Sequence, residues 1–350
     1  MTDVIAVGVD GSEPSLLALR WARVEAGLRQ ARLIAVIARP SALEWPHDSP
    51  QHVDGINRHI SDRMAQIRAA IALTLSSAGQ GAGGPPPDGV NTEANTEATT
   101  EPDTQPDTQA DTQPDMQADT QPDSQSDTQP HTQHEPAAGH HPGPAVEPEI
   151  EIIEGHPTTV LVTVSKRVDL LVVGGRGFGG WKGAFAGSLT DHLAGHTRAP
   201  LAVIRSYAPQ PRGRIVVGVD GVSSSEAVRF GVQEAALRGA SMLVVSTWQY
   251  PVLGTRPTSP EAAELLESGA RALLEEAIAA CRIEHPQVPL DTLVRMGHPA
   301  EVLAEEAQSA DLVMVGSRGR GGFASLILGS VAISVLHRVA GPVVVVPRAA

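Results

Sequence analysis

The sequence has one cysteine, Cys281, so no disulfide can form within the chain, and a reducing compartment is the matching setting. It has no uncharged apolar run long enough to span a bilayer, so no membrane association is expected. Its first residues, "MTDVIAVGVDGS", lack a basic segment followed by a long apolar core. They read as a strand entering a turn, so no signal peptide is expected and the expected location is cytoplasmic. There is no Gly-x4-Gly-Lys-Ser/Thr loop, no Gly-x-Ser-x-Gly elbow and no His-Glu-x-x-His pair. Phosphoryl transfer by a P-loop lysine, serine hydrolysis and zinc proteolysis therefore have no motif to carry them.

Positive charge is missing from one long stretch. Between Ala69 and Pro148 there are 13 acidic residues and no Lys or Arg, against a net charge of −14 for all 350 residues. The rest of the chain is nearly neutral, and neither part has the broad basic face of a nucleic-acid binder. Within that stretch "DTQPDTQADTQPDMQADTQPDSQSDTQP" repeats Asp-x-Gln-x seven times from Asp103 to Pro130. The unit offers almost nothing apolar to bury against the entropy of ordering, and its recurrent Pro opposes a helix. Residues 79–148 are expected to be a disordered acidic insertion that solvates or spaces. A docking or metal-binding role, using His131, His134, His140 and His141, is the alternative, without tight ligand spacing to support it.

What remains is a repeat. "GGRGFGGWKGAFAGS" (Gly174 to Ser188) and "GSRGRGGFASLILGS" (Gly316 to Ser330) share Gly-x2-Gly-x9-Gly-Ser, at an offset of 142 residues. Each follows a short apolar run, "VDLLVV" or "ADLVMV". "VIAVGVDGS" matches "RIVVGVDGV", "EGHPTTVL" matches "MGHPAEVL", and "RAPLAVIR" matches "AGPVVVVP". The two expected domains are residues 1–206, carrying the insertion, and residues 212–350. In the second, strands are expected near 214–219, 242–247, 290–295, 311–316 and 342–347, short and nearly all apolar, as for strands covered on both faces. Helices fall between them. One opens on a Ser223…Glu226 capping box and closes on Gly239, and another has Pro260 in its first turn. The alternation predicts an α/β fold with a parallel sheet.

With both glycine loops and both Asp-Gly turns in place, the chain resembles the universal stress protein family in its tandem, ATP-binding form. The resemblance covers nearly everything except the insertion. It implies two doubly wound five-stranded parallel-sheet domains in tandem (Rossmann-like, adenine nucleotide alpha-hydrolase-like). Ligands of such sheets bind beyond the C-terminal strand ends, where strand order reverses. Glycines let backbone amides approach a phosphate, and the helix start after Gly-Ser favours an anion.

The nucleotide-binding residues so implied are Asp10, Ala38, Gly174, Gly177, Gly187 and Ser188 in the first copy. In the second they are Asp220, Thr247, Gly316, Gly319, Gly329 and Ser330. Asp10 and Asp220 would contact ribose or a metal ion, and Ala38 and Thr247 would hold adenine through the backbone. Arg176, Lys182, Arg318 and Arg320 can add charge. The same glycines also fit plain tight turns, the serines fit helix N-caps, and the aspartates fit local turn bonds. Gly155-His156-Pro157 and Gly297-His298-Pro299 follow the third strands, with Pro as a helix start signal.

The expected function is a binding module: ATP, with Mg, changes partner choice or conformation, through a regulatory protein partner the sequence does not name. No general base stands beside the phosphates. The alternatives are a slow ATPase at the same sites and a nucleotide-free interaction protein whose loops are turns. The strands "LAVIR" and "VVVVPR" can pair across a pseudo-twofold axis within the chain, covering exposed edges. Further homodimerisation is also compatible with the sequence.

Overall fold

The computed structural model describes residues 2–39, 50–77, 146–175, 188–208, 210–249, 260–319 and 327–348. The chain runs β1 (Val4–Gly8), α1 (Glu13–Arg29), β2 (Arg32–Arg39), α2 (Pro50–Ser77), β3 (Glu149–Glu154), α3 (Pro157–Val164), β4 (Leu170–Gly174), α4 (Ser188–His196) and β5 (Leu201–Ile204). The second half repeats the order: β6 (Arg214–Val219), α5 (Ser225–Arg238), β7 (Ser241–Trp248), α6 (Pro260–Glu284), β8 (Leu290–Met296), α7 (Pro299–Glu306), β9 (Leu312–Gly316), α8 (Ser330–Arg338) and β10 (Val343–Val346). All five strands expected in the second half are present, within a residue at each end. Of the expected insertion, residues 79–145 lie outside the described residues, with the four histidines. Its last residues instead run along α1, where the Arg23 guanidinium donates to the Val146 carbonyl at 3.2 Å and meets Glu147 at 3.3 Å.

The strands form one ten-stranded sheet in the order β3-β2-β1-β4-β5-β10-β9-β6-β7-β8. Each half is a parallel, doubly wound sheet. The chain steps outward from β1 to β3, returns to β4 and leaves through β5, so strand order reverses between β1 and β4 and again between β6 and β9. The central strands are apolar throughout because helices cover both faces. On one face α1, α2, α5 and α6 bury Leu19, Ile71, Val232 and Leu274 against the sheet. On the other, α3, α4, α7 and α8 bury Leu161, Leu193, Leu303 and Leu336. Each such side chain contributes about 1.5–3 kcal/mol.

β5 and β10 pair antiparallel, with Val203 opposite Val343, Ala202 opposite Val344 and Leu201 opposite Val345. This is the pairing expected of "LAVIR" and "VVVVPR", and it removes two sheet edges at once. Among the described residues only β3 and β8 remain as edges, and β3 carries Glu149, Glu151 and Glu154, charges that oppose further strand addition.

The helices meet across the same axis. Glu25 and Arg29 of α1 close a ring with Glu234 and Arg238 of α5, in which each carboxylate meets both guanidiniums. Both carboxylates are 1% exposed. Burial pushes Glu234 up to about 7, the adjoining Glu25 charge adding to the rise, while the arginines hold Glu25 below the ordinary carboxylate range against the same burial. The two titrate as a pair. The Arg29 guanidinium also lies 5.0 Å over the Phe230 ring.

Candidate functional site

β6 delivers Asp220 to the C-terminal edge of the sheet. Gly221 follows with φ 117°, a left-handed backbone that favours glycine. The Asp220 Oδ1 accepts hydrogen bonds from Ser223 Oγ at 2.5 Å and Ser224 Oγ at 2.8 Å. The expected Ser223…Glu226 capping box does not form. A 3-10 turn over Val222–Ser224 precedes α5, so the hydroxyls face the aspartate and Glu226 pairs with Arg229 instead.

β9 lies beside β6 and ends at Gly316. The loop after it is tied down at both ends: Ser317 N–H donates to the Val346 carbonyl and Gly329 N–H to the Ser317 carbonyl, both at 2.8 Å. Gly319 sits against Asp220, where a Cβ would run into Oδ2. None of the described loop glycines takes a positive φ. What Gly319 supplies is close approach, not an unusual backbone conformation. Gly329 is the N-cap of α8, with φ −74° and ψ 148°, and no side chain caps the first-turn amides. Ser330 is therefore the first helical residue rather than the N-cap, because Gly329 already occupies the extended position that the cap requires. Thr247 stands one residue beyond the Val219–Ser246 register pair, abreast of Asp220. Asp220, Thr247, Gly316, Gly319, Gly329 and Ser330 are thus gathered where strand order reverses.

The first half has the same plan with tighter neighbours. Asp10 Oδ1 accepts from Ser12 N–H at 3.0 Å and Ser12 Oγ at 2.5 Å, and Ala38 lies abreast of it. Arg63 of α2 donates to the Asp10 carbonyl at 3.1 Å. A Cβ on Gly174 would sit 2.6 Å from the Pro14 carbonyl, so glycine lets the strand end touch the start of α1. The Arg205 side chain lies across Gly175 and donates to the Val339 carbonyl at 3.2 Å. Gly177, Gly187, Arg176 and Lys182 lie outside the described residues, as does Arg320, while Ser188 opens α4.

Sequence reasoning passed over Arg205, although the aligned repeat places Pro347 at its position and so flags a difference. The two Gly-His-Pro segments act as helix starts. Gly155 and Gly297 take φ 137° and 153°, His156 and His298 are N-caps without side-chain bonds, and the prolines open α3 and α7. Among the described residues no group of three His, Cys, Asp or Glu is placed to hold a metal, and no helix is long and apolar enough to cross a membrane.

The model of the universal stress protein family matches residues 96–205 and 211–347. A universal stress protein of Mycobacterium tuberculosis is 35% identical over 200 residues, covering 56% of this chain and 67% of that one. A universal stress protein of Mycolicibacterium smegmatis is 35% identical over 205 residues, covering 57% and 69%. The crystal structure of a universal stress protein from Archaeoglobus fulgidus covers 99% of this chain and 96% of its own, with a TM-score of 0.57 at 14% identity.

Proposed function

Because the chain belongs to the universal stress protein family, we propose that it is a nucleotide-responsive binding protein of two domains, 1–206 and 212–350. In this reading an adenine nucleotide, ATP with Mg, lies on the C-terminal edge of the sheet. The observation that carries the reading is the meeting of Asp220, the Gly316–Gly319 turn and the uncapped start of α8 where strand order reverses. Free amides at a helix start and a backbone approachable for want of a Cβ suit phosphate. The Asp220 carboxylate suits ribose or a cation, and the Thr247 backbone suits adenine. Gly316 and Gly319 lie toward the ribose and first phosphates, Gly329 and Ser330 toward the outer ones. Asp10, Ala38, Gly174, Gly177, Gly187 and Ser188 form the first-half counterpart. With no general base placed beside the phosphates, the nucleotide is held rather than cut. Its presence alters the surface shown to a regulatory protein partner in the cytoplasm.

Thermal unfolding with and without ATP and Mg tests this. Ligand at a hundredfold over Kd stabilises by about 2.7 kcal/mol, a rise of about 5–10 °C in Tm. The rise is expected in the wild type and is expected to fall in Gly319→Val, whose side chain would displace Asp220. No rise at millimolar ATP would leave the loops as turns of a nucleotide-free scaffold. Hydrolysis lost in Asp220→Ala with binding retained would make the protein an ATPase.

A further inference from the structure

Beyond the end of β10 the two halves line an open cavity of about 780 Å³. Four arginines from four separate segments line it: Arg198 between α4 and β5, Arg229 on α5, Arg318 after β9 and Arg348 after β10. His196 joins them, and Glu226, the partner of Arg229, is the one carboxylate among the lining residues. Several surface arginines elsewhere pair with acids, Arg32 with Glu149, Arg167 with Glu151 and Arg271 with Glu267; among the described residues only Arg229 of these four does. Among the described residues the structure gives the Arg198 and Arg348 side chains no ion-pair partner.

The four arginines are exposed, and a recess lined by one sign of charge concentrates the opposite ion within it. The repeat does not require the arrangement. Where the second half has Pro347 and Arg348, the first has Arg205 and Ser206, and where the first has Arg198, the second has Ala340. In the first half Arg205 reaches over Gly175 to the Val339 carbonyl, and Ser206 Oγ donates to the Ala340 carbonyl at 2.9 Å. The counterpart position is thus bridged by Arg205 and Ser206. In the second half Pro347 stands where that arginine would cross.

We propose that this cavity is a binding site for a small, multiply charged phosphate anion, one per chain, clasped between the two halves. Guanidinium forks match phosphate oxygens in pairs, so four of them suit several linked phosphates better than a single carboxylate. Ser317 and Arg318 belong both to the cavity wall and to the loop after β9, and Arg318 Nε donates to the Ile327 carbonyl at 3.2 Å. An anion held there bears directly on the loop's position. The linked phosphates come either from free polyphosphate or from the tail of a nucleotide on the neighbouring glycine loop.

Titration calorimetry of the full chain with inorganic tripolyphosphate is the test. The expected result is one saturable site per chain, weakened by added salt. In Arg198→Ala/Arg348→Ala the affinity falls about tenfold or more, and in Arg198→Lys/Arg348→Lys most of it is kept. Both pairs lie on exposed loops, and an unchanged Tm confirms that the fold is intact. Absence of saturable binding, or equal binding by the double alanine variant, would overturn the proposal. Repeating the titration with ATP and Mg present separates the sources. Displacement assigns the cavity to a nucleotide's own tail, and simultaneous binding assigns it to a free polyphosphate. If ATP itself does not bind, the nucleotide reading fails and the tripolyphosphate result stands alone.

Discussion

At the C-terminal edge of the sheet, the two halves carry one glycine signature in two different settings. Gly174 is pressed on the Pro14 backbone and Gly175 on Arg205. Gly316 has nothing nearer a would-be Cβ than 3.4 Å. Four residues after the turn aspartate, the first half has Pro14 and the second Ser224, whose hydroxyl turns inward to Asp220. Identical spacing therefore does not mean identical use. In the first copy Gly174 is needed for packing, while at Gly316 in the second the space of a would-be Cβ is open.

The largest effect expected concerns what the halves share. Removing one member of the buried ring leaves charge uncompensated, so Glu25→Ala should destabilise by about 3–5 kcal/mol, read from denaturant unfolding. The ring also breaks the symmetry in its response to pH. Glu234 is raised to about 7 in the folded chain from the ordinary 4.5. The folded state therefore keeps a proton that the unfolded state has lost. That contribution to stability is full below about 4.5 and disappears as pH rises through 7, on the order of 1–3 kcal/mol. Tm should fall between pH 5 and 8, and Glu234→Gln should flatten that fall. Glu25, held below the ordinary range, contributes in the opposite direction, through stability that is lost only in acid. A profile that rises from pH 5 to 8 would reverse these assignments.

The next effect sharpens the comparison of the glycines. Gly174→Ala drives a methyl into the Pro14 carbonyl and should cost about 1–3 kcal/mol. Gly316→Ala should change stability by about 0.5 kcal/mol or less. Equal losses in the two would mean that the second loop is packed as tightly as the first. The smallest effect lies at the ends of the matched helices. Gln30 ends α1 in a left-handed conformation, φ 52°, where Gly239 ends α5 with φ 60°. Gln30→Gly should stabilise by about 0.5–1 kcal/mol, relieving a Cβ clash that the second half avoids.

Much of this was legible in the sequence because it is local or periodic. The apolar runs marked the strands, the repeat marked the two halves, and the glycine spacing marked the loop that reaches Asp220. The capping box was misread because Ser223, Ser224 and Asp220 compete for one another within a few residues, and the tighter turn wins. The charged ring was not legible, since Arg29 and Glu234 are 205 residues apart and each reads alone as a solvated helix charge. The arginine cavity was hidden for the same reason. Arg318 had been noted as a loop charge, but Arg198, Arg229 and Arg348 come from other segments and meet only once β5 and β10 have paired.

That strand pair also decides where the chain can grow. With β5 and β10 joined, the edges of the described sheet are the outermost strands β3 and β8. α2 ends at Ser77 and β3, the last strand on its side, begins at Glu149. A connection leaving and re-entering at that margin adds length at a cost that grows only with its logarithm, about 0.6 kcal/mol for each doubling. A lineage can lengthen or rewrite it without reopening the middle, whereas the same number of residues placed after β5 would have to be accommodated at the join.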